Sequence, residues 1–309
     1  MEKGLESNKF NPSDYEDSPF YILLKKLPTE IAKKAMVYAE NNNLNDDEIT
    51  SYLKEIVSSR KEAMTSSEIS DPNIKEVFKG DEAELFKSLE TTVFYNLDNY
   101  LGTGMTAKVK LYQTKKELGD TETEIKMAIK YVMTPTAKTI SAEQEHNVIM
   151  EVERIRMVEK AESSFPNRSR YIRVPHPFLY HRTEDLQLYG MECIDGMTLE
   201  QTNQEGMFYN EMKESLKNSP LAKVSLEELD GYIKRFFDTM HEFCLHGDIK
   251  PKNIMVSRDG VIYIIDFGQS VMSNNIPAGS EEAFENLKLD EIKGVQSAVK
   301  TMIRKIFEN

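Results

Sequence analysis

Several things are scarce or missing in this 309-residue chain. No run of about 18 apolar residues is present, so nothing in the sequence reads as a membrane span. The first ten residues, MEKGLESNKF, lack the basic-then-apolar pattern of a secretory leader. There are two cysteines, Cys193 and Cys244, which form neither a disulfide framework nor a metal-binding spacing. Both sit among apolar residues and are expected to be reduced core thiols in a cytoplasmic compartment. A surplus of basic charge is also missing: 52 acidic against 39 basic residues give a formal charge of −13. That balance repels nucleic acid and anionic membranes, so neither is expected as a partner.

What is present is concentrated in Leu245–Gly268, LHGDIKPKNIMVSRDGVIYIIDFG. Ile254–Ile265, broken at Ser257–Gly260, reads as a hairpin of two short strands. A hairpin brings together the residues at its two ends, so Asn253 and Asp266 should face one volume. An amide oxygen and a carboxylate suit Mg²⁺, which takes few protein ligands beside phosphate oxygens. Asp248 is then placed to orient a nucleophile, and Lys250 to balance charge on a phosphoryl group in transfer. His246 reads as a core histidine bonded to backbone rather than a proton-transfer catalyst.

This segment resembles the catalytic and metal-binding loops of protein kinases. The resemblance implies an α+β, bilobal fold with a β-rich N-lobe, a short helical C-lobe and ATP with Mg²⁺ as cofactors. It covers roughly residues 92–309, with the N-lobe over about 92–194 and the C-lobe over 195–309. The stretch VFYNLDNYLGTGMTAKVKLYQ reads as strand, glycine loop and strand. Within it Gly102, Thr103, Gly104 and Val109 match the phosphate-covering loop, with Ala107 in place of the usual third glycine. In KMAIKYV, Ala128 and Lys130 would meet the nucleotide, Lys130 at its phosphates. The acid-rich helix over about Ser141–Glu162 offers Glu145 as the partner of Lys130, at the edge of an apolar stripe of Val148, Ile149, Val152 and Ile155, with Glu151 as rival. The stretch LYGMECIDGMTL resembles the hinge. On that mapping Met191 backs the adenine pocket, while the Glu192 carbonyl and Ile194 amide bind the adenine edge. The helix over about Ser225–Phe243 has Ser225 and Glu228 as a capping box.

The pattern departs from the regulated kinases at three points. Gly247 stands where arginine usually precedes the catalytic aspartate, which leaves no cation for an activation-loop phosphate. The loop after Asp266 is short and lacks Ala-Pro-Glu. The helix over about Leu289–Ile306 would present Asp290 as the brace beneath the catalytic loop. This layout is similar to the minimal effector kinases that bacterial pathogens inject and to the compact atypical kinases of the RIO type, whereas Lys250-Pro251 is the serine/threonine protein-kinase form. The substrate is therefore expected to be a protein, for an effector a host protein in host cytoplasm. A small-molecule kinase or ATPase, and a pseudokinase that serves as a binding module, are the rival readings.

Residues 1–91 form a helical extension on this reading. Residues 1–18 are polar and aperiodic and expected to be mobile. Helices are expected over about 29–39 (Ile31, Ala35, Tyr38), 45–60 (Ile49, Tyr52, Leu53, Ile56, Val57, with Asn45 and Glu48 as a capping pair) and 81–90 (Leu85, Phe86, Leu89). Residues 20–90 are expected either to brace the helix carrying Glu145, and so keep the Lys130 pair formed, or to be the surface for an activating protein partner; buried helical stripes favour bracing.

Overall fold

The computed structural model describes residues 15–16, 18–25, 32, 35–37, 39, 44–54, 66–95, 100–103, 107–118, 121–132, 141–162, 171–183, 186–204, 206–275 and 279–308. Two compact units share the chain, Met1–Ser66 and Ser67–Asn309. In the first, helix α1 (Tyr21–Lys25) and a helix over residues 46–54 contribute to a small core of Phe20, Leu24, Ala32, Ala35, Met36, Ala39, Ile49 and Leu53. The Glu48 amide donates to Asn45 Oδ1 at 3.1 Å and the Asn45 amide to Glu48 Oε2 at 2.9 Å, so the two residues cap the helix reciprocally. Ile31, Tyr38, Ile56 and Val57, and most of the polar leader, lie outside the described residues.

The second unit carries twelve described strands. A six-stranded sheet has the order β1-β6-β7-β4-β3-β2, built from β1 (Ser66–Ile69), β2 (Tyr100–Thr103), β3 (Ala107–Leu118), β4 (Thr121–Val132), β6 (Pro177–Arg182) and β7 (Gln187–Glu192). Strands β3 and β4 form a long hairpin in which Val109 faces Lys130, and β4 then pairs with β7 so that Ala128 faces Met191. A four-stranded sheet, β5 (Ile172–Arg173), β11 (Ile262–Ile264), β10 (Ile254–Ser257) and β8 (Gly196–Thr198), holds the hairpin expected from the sequence, with Ile254 opposite Ile264. Strands β5 and β6, close in sequence, thus belong to two different sheets. The remaining pair is β9 (Cys244–Leu245) with β12 (Val271–Met272).

The extension is divided differently from the expectation. Helices α2 (Pro72–Val77) and α3 (Glu82–Tyr95) belong to the second compact unit. Leu85, Leu89 and Val93, four residues apart on one face of α3, share a core with Ile74, Phe78, Tyr112, Ile125, Met127 and Ile129. Val93–Tyr95, read as the start of a strand, continue α3 instead. The physical cause is Lys110 on β3, which is buried and donates from Nζ to the Thr92 and Val93 carbonyls at 3.1 and 2.8 Å. A cation at a helix C-terminus satisfies the last carbonyls and the dipole together.

Helix α4 (Ala142–Glu162) packs on β6 and β7. Its start is fixed by reciprocal bonds between Ser141 and Gln144. The helical lobe is built on α5 (Met207–Lys217), α6 (Leu226–Phe243) and α7 (Glu281–Phe307). Ser225 and Glu228 form the expected capping box of α6, whose Leu229, Ile233, Phe237 and Met240 enter the core. Helix α7 begins eight residues before Leu289, because Phe284 extends the buried stripe of Ile292, Val295, Val299, Met302 and Ile306 toward the N-terminus.

Candidate active site

Two clusters of charge lie at the ends of the β10–β11 hairpin. In the first, Lys130 Nζ bonds both oxygens of Glu145, at 2.7 and 2.9 Å, and Asp266 Oδ1 at 2.5 Å. Tyr189 donates its hydroxyl to Glu145 Oε1 at 2.8 Å. Lys130, Glu145 and Tyr189 are all buried, so the charges meet where solvent screens them little. Burial alone would lower the Lys130 pKa, yet the Glu145 and Asp266 carboxylates outweigh it and raise it. Asp266 is the mirror case: burial opposes its ionisation, and Lys130, with a smaller contribution from Lys250, carries its pKa below the ordinary carboxylate value. Its left-handed backbone, φ 67°, turns the chain out of β11 and toward the lysine. Glu151, the rival, binds Arg154 at 2.5 and 2.8 Å instead.

In the second cluster, Lys250 Nζ donates to Asp248 Oδ1 at 2.6 Å. Asn253 Nδ2 donates to the Asp248 carbonyl and to Asp248 Oδ2, at 2.8 and 3.0 Å. Its NH₂ group is thereby oriented onto Asp248, which leaves Oδ1 as the oxygen Asn253 would offer to a metal. The Ile265 amide donates to the Asn253 carbonyl at 3.0 Å, tying the residue before Asp266 to Asn253 across the hairpin. The donor set fits Mg²⁺: one amide oxygen and one carboxylate, both hard. Among the described residues no group of three His, Cys, Asp or Glu forms a metal cage.

The catalytic loop is held from below by Glu291, not Asp290. Its carboxylate accepts from the amides of His246 and Gly247 at 3.2 and 2.7 Å and pairs with His241 at 2.9 Å. Asp290 is exposed, because α7 turns the next residue inward. Sequence reasoning also missed Tyr189, since a tyrosine in a buried strand carries no signal of what its hydroxyl meets. His246 is structural: Nε2–H donates to the Ile265 carbonyl at 2.9 Å, and Nδ1 accepts from the Asp248 amide at 3.2 Å.

That tautomer requires a neutral ring, and burial lowers the His246 pKa, as it does that of His146. These two imidazoles take up protons near pH 6.5 in the unfolded chain and only at lower pH in the folded one, so their contribution makes stability fall as pH drops below about 6.5. Urea unfolding at pH 7.5 and 5.5 checks this, with a smaller fall expected in His246→Gln. An unfolding midpoint equally pH-dependent in both proteins would contradict it.

Most of the residues expected to face a nucleotide lie on β2, β3, β4 and β7. Gly102 pairs with Val109 across β2 and β3 and is exposed, and Thr103 pairs with Lys108. Gly104 lies outside the described residues. Ala128 and Met191 are buried neighbours on β4 and β7. Glu192 ends β7, with Ile194 two residues beyond. Cys193, between them, is half-buried rather than a core thiol, whereas Cys244 is fully buried, and burial pushes its pKa up to about 12.

A β-rich lobe joined to a helical lobe, with these residues at their junction, is the protein-kinase arrangement. The chain matches the protein kinase domain over residues 95–284, more than half its length, and belongs to that family. It is 35% identical over 86 residues to a probable serine/threonine-protein kinase PknB of Lactococcus lactis, covering 28% of this chain and 12% of that protein. It is 36% identical over 61 residues to a probable serine/threonine-protein kinase of Dictyostelium discoideum, covering 18% and 15%. It is 29% identical over 87 residues to the mitogen-activated protein kinase sma-5 of Caenorhabditis elegans, covering 28% and 16%. The matched stretches thus span less than a fifth of each of these relatives.

Proposed function

We propose that this protein transfers the terminal phosphoryl group of ATP, with Mg²⁺, to serine or threonine hydroxyls of a protein. The observation that carries the reading is Lys130 bridging Glu145 and Asp266, which links the β-lobe, α4 and the metal-binding loop in one ion cluster. Asn253 and Asp266 would hold Mg²⁺, which when bound supplies positive charge opposite the phosphate oxygens. Lys130, fixed by Glu145 and Tyr189, positions phosphates. Asp248, aimed by Lys250 and Asn253, accepts the proton of the attacking hydroxyl, and Lys250 balances charge on the group in transfer. Gly102, Thr103, Gly104, Val109, Ala128 and Met191 would enclose the nucleotide, with the backbone of Glu192 and Ile194 on its base. Following the resemblance to effector kinases, the acceptor is a host protein, and residues 20–90 serve an activating partner. Incubation of host-cell lysate with labelled ATP tests the acceptor, and label confined to small molecules would reject it.

The same site predicts independence from activation-loop phosphorylation. Ser270 is buried, and its hydroxyl contacts the His246 carbonyl at 3.4 Å; Ser273 donates to the His241 carbonyl at 3.1 Å. Strand β12 already pairs with β9, so the segment is ordered by backbone bonds rather than by a phosphate. Phosphatase-treated protein should keep its activity, and mutation of Ser270, Ser273 and Ser280 to alanine should not mimic a dephosphorylated, inactive state. Activity lost on treatment and regained by autophosphorylation would overturn this.

A further inference from the structure

Three of the five histidines, His146, His176 and His181, bond residues of the segment between Ser67 and Glu90, which precedes the family match. His181 bonds Ser67 and Glu90, while His146 and His176 meet two adjacent residues, Ser70 and Asp71. Their backbone amides both donate to the Phe178 carbonyl on β6, at 2.9 and 3.0 Å. The Ser70 hydroxyl meets Nε2 of buried His146 at 3.0 Å, one residue after Glu145 on α4. Asp71 Oδ1 caps α2 by accepting from the Ile74 amide at 2.8 Å, while Oδ2 holds His176 Nε2 at 2.8 Å.

From His176 the chain of contacts divides. Its Nδ1 lies 4.0 Å from Glu153 on α4. Its amide donates to Glu192 Oε2 at 3.1 Å, and its carbonyl accepts from the Glu192 amide at 2.8 Å. Glu192 Oε1 in turn accepts from Arg173 and Tyr263, at 3.0 and 2.8 Å. One turn of chain therefore reaches the helix bearing Glu145 on one side and the strand end at Glu192 on the other.

We propose that Ser70 and Asp71 form a clasp that sets the position of α4 and of Glu192, so that segment 67–95 is a built-in positioning element for the Lys130–Glu145 pair. The clasp touches no reactant and acts through Glu145 and Glu192. It rests on the catalytic reading above.

The test uses the full chain with Ser70→Ala and His176→Ala combined, which leaves the Asp71 cap of α2 intact and alters two partly exposed positions. Three readouts are needed: kcat and KM for ATP with a generic protein acceptor, thermal stability, and backbone amide exchange over residues 142–154. We expect kcat to fall about tenfold with KM for ATP changed less, the scale of losing two partly buried hydrogen bonds. Tm should move little, amides on α4 should exchange faster, and Ser70→Thr should retain most activity. Unchanged exchange over 142–154 would overturn the clasp whatever the activity, as would unchanged kcat in a protein whose Lys130→Ala variant is inactive. If Lys130→Ala is as active as wild type, the catalytic reading has failed instead, and the exchange measurement still decides the clasp.

Discussion

Gly247→Ala is expected to destabilise the folded protein severely, and Gly247→Arg at least as much. Gly247 has φ 79°, and a β-carbon built there would sit 2.2 Å from the backbone oxygen of Gln269. A left-handed non-glycine residue costs about 1–2 kcal/mol. The clash adds to this, because neither side can retreat. Glu291 holds the Gly247 amide, and the β9–β12 pair fixes the strand that follows Gln269. An overpacking cost of about 1–3 kcal/mol then brings the total to roughly 2–5 kcal/mol, a large share of the ordinary 5–15 kcal/mol of a folded domain. Thermal unfolding should show a Tm lower by about 10 °C. A Gly247→Ala protein within a degree or two of wild type would show that the close approach is not a constraint.

This residue also shows how legible the sequence was. Gly247 reads as an arginine lost from a regulated kinase, and so as the absence of a phosphate receptor. The structure gives the positive reason for glycine: a backbone oxygen occupies the space of any side chain. Nothing local in His-Gly-Asp announces that contact, since Gln269 is 22 residues away and is brought in by strand pairing.

The parts of the site carried on one local element were readable in advance. The β10–β11 hairpin and the capping box of α6 follow from turn residues and from serine three positions before glutamate. For the partner of Lys130, the periodicity of α4 favours Glu145 at the edge of the apolar stripe but leaves Glu151 as a rival, and the tertiary contacts of the two glutamates separate them. What the sequence hid depends on tertiary neighbours. Glu291 rather than Asp290 braces the loop because it lies on the buried stripe of α7 with Phe284, Ile292 and Val295, while Asp290 is exposed. Val93–Tyr95 look like strand residues by type, yet Lys110 from β3 completes their helix. Residues 67–91 read as part of an extension, and their apolar face is instead part of the sheet's own core.

Asp266→Ala is the second change expected to have a large effect. Asp266 is a partner of Lys130 and the carboxylate end of the proposed metal site, so its loss removes charge placed on the transferred group. Losing one such preorganised electrostatic contact costs about 10²–10³-fold in rate, and a metal ligand should cost at least that. The fold should survive, because Lys130 keeps Glu145. Lys130→Ala differs: it leaves Glu145, buried and with Tyr189 as its remaining side-chain donor among the described residues, without its cation. Removing one partner of a buried pair costs about 3–5 kcal/mol, so that variant should be both inactive and less stable. Asp248→Asn should bind ATP nearly normally and lose the chemical step, because in the proposed function the carboxylate serves the acceptor hydroxyl. A large loss of ATP affinity in Asp248→Asn would contradict that role.

The most direct measurement is transfer of label from γ-labelled ATP with Mg²⁺ to protein serine and threonine, comparing wild type with Asp266→Ala at matched circular dichroism. The proposed function predicts phosphoserine or phosphothreonine with wild type and none above background with Asp266→Ala. Equal labelling by both proteins, or ATP turnover with no label on protein, would contradict the assignment.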